Sequence, residues 1–462
     1  MPPPKRDLIT TVVIVMMENR SFDHMLGYLC LQKGWETING VKPKDADWIK
    51  AATNFWNGDA YAPFEQTDAF HPMPADPPHE YTDIARQMGH PDETGVFPMN
   101  NFVENYANAP GNPKVTKRTA PPVMGYFTGE HLPVTDLLAR NFAVCDHWFS
   151  ALPAGTQANR LMAMAGYSRI AHNIQPLPTH DLVYDWLEKR NVRWRVYHEG
   201  LPFFSLMLNQ LPRILFGRHF RPLAKLWDDV RNESPDEFPE VIFIEPWYTD
   251  GPHHSVSRDD HAPSAIVGGQ QFLNEVYRAI RINPNWDGTV MIINYDEHGG
   301  FFDHVSPPAV RTDPPADTQD NHGFRTLGVR VPALVVSPFV SPGRVYNGQL
   351  DHTSVLRFLG EKFGGGKGYS EAVDTREVRS VYEVLDLDSP RSKKPPAAAP
   401  LGDYLKQTPP PAGYVPGTLP PSIIGEGFKR ALDEIRNSPE NTSGKFDDLL
   451  QAFPADPPIR PI

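Results

Sequence analysis

Three short stretches of this chain collect residue types that suit a bound cation or a reacting anion. The first is Glu18-Asn19-Arg20-Ser21-Phe22-Asp23-His24. A carboxylate beside an amide oxygen offers two hard ligands to a divalent cation, although Asn19 and Ser21 would equally serve as caps of a following helix. The second is Asn294-Tyr295-Asp296-Glu297-His298-Gly299-Gly300-Phe301-Phe302-Asp303-His304. It joins adjacent carboxylates to glycines that let backbone approach closely, a plausible half-site for a metal. Buried there, the acids need a compensating charge; on a solvent-facing turn they need none. The third is Pro153-Ala154-Gly155-Thr156-Gln157-Ala158-Asn159-Arg160, where a hydroxyl opens a helix-forming run. Backbone N–H groups and the helix dipole favour an anion at such a start, so a phosphoryl group held there would face the Thr156 hydroxyl. Arg160, one turn on, is spaced to neutralise phosphate oxygens. A threonine in this position is more commonly a plain N-cap.

The flanking sequence says what positions these stretches. Residues 9–17 form a continuous, β-branched apolar run, the pattern of a strand covered on both faces, and 21–29 read as a helix. Glu18 then stands at the strand's C-terminal end, where open α/β sheets bind ligands. Residues 289–295, ahead of Asp296, read the same way. Further strands are expected at 192–197, 241–245 and 333–337, a short extended stretch at 142–146, and helices at 133–140, 156–166, 264–281 and 353–363. Strand and helix patterns alternate, which predicts an α/β fold with a mostly parallel sheet.

The chain has 462 residues, long enough for one large catalytic domain with insertions, and its 50 prolines, about twice the usual share, predict long loops. We place that domain at 1–384, with 30–120 and 200–240 as insertions or a cap, the first draped over the sheet edge. A Pro-rich extension follows at 385–462, interrupted by a helix near 427–436 and without recognisable chemistry. A net charge of -12 and no long basic run disfavour nucleic acid as a partner. The two cysteines, Cys30 and Cys145, do not make a disulfide framework. The apolar run at 8–17 passes directly into Glu18, Asn19 and Arg20 without a cleavage site, so we read it as a strand and not as a signal peptide. No run approaches the roughly 20 apolar residues of a membrane span; a soluble or peripheral protein is expected, cytoplasmic or secreted by another route.

Four motifs in order carry a resemblance to a known family: ENRSFDHMLG at 18–27, TQANR at 156–160, DEHGGFFDHVSP at 296–307 and GVRVP at 328–332. Together they resemble the bacterial and plant non-specific phospholipases C and related acid phosphatases, within the alkaline phosphatase superfamily. Ala158 departs from the proline common in the plant enzymes and leaves the threonine and the Asn-Arg pair intact. The resemblance implies an alkaline-phosphatase-like three-layer sandwich. It implies one or more divalent ions (Ca, Mg, Mn or Zn) held by Glu18, Asn19, Thr156, Asp296 and Glu297, with Thr156 as nucleophile. It also implies phosphate-contacting and acid-base roles for His79, His198 and His261, while His298 and His304 orient the second motif. Arg160, Glu199 and His254 are further candidates for binding substrate.

The expected activity is a phospholipase C type phosphoesterase acting through a phosphothreonine. The alternatives are a broad-specificity phosphatase acting on monoesters and, from another class, a non-catalytic phosphate-binding or surface-interaction protein. Residues 201–227 mix apolar and basic side chains, which suits peripheral membrane contact or an ordinary amphipathic cap packed on the core.

Overall fold

A computed structural model describes residues 5–252, 257–318, 321–392, 394–407, 422–438 and 444–453. His253 and His254 lie outside the described residues. Eight strands form the central sheet: β1 (Thr11–Met17), β2 (Ala143–Cys145), β3 (Trp194–His198), β4 (Phe220–Pro222), β5 (Val241–Glu245), β6 (Thr289–Tyr295), β7 (Ala333–Val336) and β8 (Arg344–Tyr346). Their spatial order is β8-β2-β7-β6-β1-β5-β3-β4, and β7 alone runs antiparallel to its neighbours.

The central strands are apolar because both faces are covered. Every residue of β5 and β6 is buried, and each Val or Ile so buried contributes on the order of 1.5–3 kcal/mol. Helices α1 (Pro133–Asn141) and α2 (Thr156–Ala165) follow expectation, as do α3 (Val267–Ile280) and α4 (Thr353–Phe363). They pair as α1 with α3 and α2 with α4, giving an α/β fold of sheet and covering helices. The helix expected at 21–29 shortens to Phe22–Met25, because Leu26 leaves helical geometry at φ -125° and a 3₁₀ turn, Gly27–Leu31, takes over.

The start of the segment 30–120 meets the sheet edge, where Asn347 Nδ2 lies 3.5 Å from Thr37 O beside β8. The rest covers the loops beyond the strands. Its helices Tyr81–Met88 and Phe102–Asn108 share a small apolar core with Phe302 and Val329. The segment 200–240 supplies the edge strand β4. Its apolar side chains Phe203, Phe204, Leu206, Met207, Ile214 and Leu215 are buried and only Phe216 is exposed. Arg213 and Arg221 pair with Asp185 and Asp229. Most of the apolar side of this stretch is therefore packed inward, because its spacing matches the core, and two of its arginines are paired.

The described parts of the C-terminal extension wrap the domain. Pro396 O accepts from Tyr277 and Arg281, and α5 (Ile423–Asn437) sets Phe428 against Phe203 and Tyr248. Cys30 and Cys145 are both free thiols. No helix among the described residues is long and apolar enough to cross a membrane.

Candidate active site

Strand register brings the acids together. Parallel β1 and β6 pair Met17 with Tyr295, so the next residues, Glu18 and Asp296, leave the sheet side by side. The turn after β1 is tight: Asn19 adopts φ 60°, a left-handed conformation that Asn tolerates, and its amide donates to Asp296 Oδ1 at 3.0 Å. Gly299, at φ 62°, lies where a Cβ would stand 2.2 Å from Asn19 O. Gly299→Ala is therefore expected to cost at least about 2 kcal/mol in urea unfolding, from backbone strain plus overlap. Unfolding at wild-type urea would show that the turn yields without cost.

Thr156 begins α2 after Gly155 and is fully buried. Its Oγ1 lies 3.4 Å from Asn19 Oδ1, while Asn19 Nδ2 is 3.2 Å from His79 Nε2 and 2.9 Å from His261 Nε2. The segments near 18, 79, 156, 261 and 296 thus converge on one point. Of the amides at the start of α2, that of Gln157 already donates to Asn173 Oδ1 at 3.0 Å, so the helix terminus is less open to an anion than its sequence suggests.

Arg160 is placed differently from expectation. Its guanidinium lies 2.9 Å from Glu18 Oε1 and 3.7 Å from Asp296 Oδ2, between the rings of Phe203 and Tyr248. Enclosed behind the acids, it offsets their mutual repulsion in a dry environment. Even so the balance is short of positive charge. Burial and the neighbouring Glu18 push the Asp296 carboxyl up to about 8. Burial would raise Glu18 too, but Arg160 and His261 hold it below the usual range.

Asp296 Oδ2 and Glu297 Oε1 are buried without a hydrogen-bond partner among the described residues. Two orphaned carboxylate oxygens beside an amide oxygen and a hydroxyl form a hard-donor set that fits a divalent cation. Nitrogen and carboxylate donors of Asp76, His79 and His261, and of Glu18, Asp250 and His261, also lie within 4.8 Å of one another. Burial disfavours the charged form of His79, but Asp76 and Glu297 outweigh it and hold the ring at about 9. Asp76 and its neighbours likewise keep His261 well above its ordinary value against burial.

His198 and Glu199 are not brought into this group. His198, at the end of β3, packs against Phe220 and Phe446 with Nδ1 on Gly200 O, and burial pushes it down to about 3. Glu199 pairs with Arg258 at 2.6 Å, and burial raises it to about 7. His298 lies between Glu297, 3.2 Å away, and Gln87 at 2.7 Å. His304 pairs with Asp23 at 2.6 Å.

Sequence reasoning passed over Asp76, Asp250 and His352. Asp76 precedes His79 by three residues, a signal that was available; Asp250 and His352 stand in no suggestive spacing. His352 Nε2 lies 2.6 Å from the Asp296 carbonyl, and its Nδ1 lies 3.3 Å from both Trp148 Nε1 and Asn294 Nδ2. The last two are N–H donors, so Nε2 carries the proton and orients the Asp296 backbone.

Comparison with known proteins shows the family. The sequence profile of the Phosphoesterase family matches residues 9–364. Non-specific phospholipase C6 of Arabidopsis thaliana is 31% identical over 418 residues, covering 85% of this chain and 76% of the relative. Phospholipase C B of Mycobacterium tuberculosis (strain ATCC 25618 / H37Rv) is 28% identical over 410 residues, covering 77% and 73%. A solved protein of the alkaline phosphatase superfamily from Vibrio parahaemolyticus shares 10% identity at TM-score 0.30, covering 50% of this chain and 60% of that one. The match along nearly the whole length, with every motif inside it, shows that this chain belongs to the Phosphoesterase family and is a phosphoric ester hydrolase.

Proposed function

We propose that the protein is a divalent-metal-dependent phosphoesterase of the phospholipase C type, with the Thr156 hydroxyl as nucleophile. The observation that supports this best is a chain of contacts: the buried Thr156 hydroxyl lies against Asn19 Oδ1, the Asn19 backbone amide holds Asp296, and Asp296 Oδ2 and Glu297 Oε1 are buried without a hydrogen-bond partner among the described residues. With Thr156 these residues would hold the cation, and oxygen donors of this kind suit Ca, Mg, Mn or Zn. When bound, the cation supplies positive charge that lowers the hydroxyl pKa and neutralises the acids.

Thr156 Oγ, its proton released to solvent, forms a bond to phosphorus as the bond from phosphorus to the diacylglycerol oxygen breaks. His79 and His261, held protonated by the surrounding carboxylates, bind the phosphoryl oxygens, and one of them protonates the leaving alkoxide. Water then attacks the phosphothreonine and the resulting imidazole takes its proton; the bond from phosphorus to Thr156 Oγ breaks, the phosphorylated headgroup leaves, and the threonine oxygen regains from solvent the proton it gave up. Burial keeps bulk water from competing for these contacts.

The monoesterase reading draws on one observation: two imidazoles that neighbouring carboxylates favour in the charged form lie beside Asn19, which touches the Thr156 hydroxyl, and such a pair also suits a phosphate dianion. Product analysis on phosphatidylcholine in mixed micelles, run beside p-nitrophenyl phosphate, separates the two. Diacylglycerol and phosphocholine are the expected products; inorganic phosphate from the monoester alone would replace the phospholipase reading by the phosphatase one.

A further inference from the structure

The fourth motif, 328–332, contributes no group to the convergence point, yet its arginine is among the most buried side chains of the protein. Arg330 Nε donates to Asp303 Oδ1 at 2.8 Å and one terminal nitrogen lies 3.1 Å from Asp23 Oδ1. The other terminal nitrogen donates to the carbonyls of Asn39 and Asp146, both at 2.8 Å. Asp23, Asp303 and His304 have the donors and spacing of a second cation site, but the cation there is already the guanidinium.

These contacts join three ligand-bearing segments that are remote in sequence. Asp23 follows Glu18 and Asn19 on the short helix after β1. Asp303 ends the loop that begins with Asp296 and Glu297. Asp146 starts the stretch leading to Thr156, and this stretch runs beside the motif itself, with Ser150 N on Val329 O and Val331 N on Trp148 O. The two loops are further fastened to each other. Arg20 N donates to Glu297 O at 3.1 Å, Asp23 N to Asp303 Oδ2 at 3.1 Å, and His304 N to Asp23 Oδ2 at 2.9 Å.

We infer that Arg330 is a positioning residue: through Asp23, Asp303 and the Asp146 carbonyl it sets the mutual register of the 18–24, 146–156 and 296–304 segments, and so the geometry of the metal ligands they carry. A planar guanidinium with five donors in fixed directions can meet four oxygens of separate segments at once, whereas a lysine ammonium with its three donors cannot. This makes Arg330 specific as a junction and not merely as a buried charge. The inference rests on the proposed metal-ligand set only where affinity for metal is read.

The test compares Arg330→Lys and His304→Gln with wild type, the second being a milder cut at the partly exposed margin of the same network. Hydrogen–deuterium exchange of the metal-free protein reads the junction directly, because the amides of Arg20, Asp23 and His304 are its internal bonds. Exchange at least about tenfold faster is expected in peptides covering 18–24 and 296–304, with β5 unchanged. Calorimetric titration with Mn²⁺ is expected to show an affinity about 10–100-fold weaker, the usual effect of losing a group that orients ligands.

A lowered Tm with unaltered exchange in both loops and unaltered Mn²⁺ affinity would mean that Arg330 is an ordinary buried ion pair, and would overturn the inference. If Arg330→Lys does not fold, His304→Gln decides by the same readouts. Should the wild type bind no Mn²⁺, the proposed ligand set fails, while the exchange comparison still decides the junction.

Discussion

Thr156→Ala is expected to lower kcat toward phosphatidylcholine or p-nitrophenyl phosphate by about 10⁴-fold or more, in line with the loss of a nucleophile that acts in covalent catalysis. The fold should scarcely notice. The hydroxyl makes one long contact, 3.4 Å to Asn19 Oδ1, and alanine is a good residue for the first turn of α2, so unfolding should shift by less than about 1 kcal/mol. Mass spectrometry of the wild type, acid-quenched during turnover, should place the phosphoryl-bearing adduct on the peptide containing Thr156. A variant with near-wild-type kcat would remove Thr156 from the chemistry and leave it as a helix-starting residue.

The second large effect has opposite signs for activity and for metal-free stability. Asp296→Asn should abolish metal-dependent turnover, about 10³-fold or more, because it removes a charged ligand. Yet the chelated variant should be at least as stable as chelated wild type at pH 7.5. The folded-state pKa of Asp296 is raised to about 8 by burial and by Glu18, against about 3.9 for an unfolded aspartate. A raised acid pKa means that the folded state binds the proton more tightly than the unfolded state does. Stability attributable to this group is therefore full below about pH 4 and is lost as pH rises toward 8. Asparagine is permanently neutral and escapes that loss.

Saturating metal should reverse the order. A ligand at 100–1,000 times its Kd stabilises the wild type by about 2.7–4.1 kcal/mol, and the variant should gain far less. Thermal melts with chelator and with Mn²⁺, between pH 5 and 8.5, read both halves. A chelated variant clearly less stable than chelated wild type would mean that the Asp296 charge is already compensated without a cation.

The two acidic segments proposed to bind metal were legible because each follows a strand with an unmistakable pattern. Residues 11–17 and 289–295 are continuous apolar runs that only a doubly covered parallel sheet can accommodate, and the acids stand at the first positions after them. Helix α2 was legible from its Ala, Leu and Met content, which fixed Thr156 as its opening residue. Strands β4 and β8 were not, since three residues at each sheet edge, of mixed burial in β4 and all half-buried in β8, carry too little periodicity to show.

Other features depend on contacts that local sequence does not encode. Arg160 has the spacing of a phosphate ligand, but the aromatic walls of Phe203 and Tyr248 and the carboxylate of Glu18 turn it inward. His198 looks like a site histidine in its motif, and its strand, two places from β1, leaves it among apolar rings. The C-terminal extension reads as inert, and yet Ser422 at the start of α5 bonds Asp250, which leans on His261.

Sequence alone nominated residues whose chemistry suits a cation or an attack on phosphorus, and the strands ahead of the acids, because hydrophobic period and motif are local properties. The tertiary structure alone decided which of those residues meet. Burial, register and charge pairing join positions more than a hundred residues apart, and the free energy of each such contact depends on neighbours that no stretch of sequence displays.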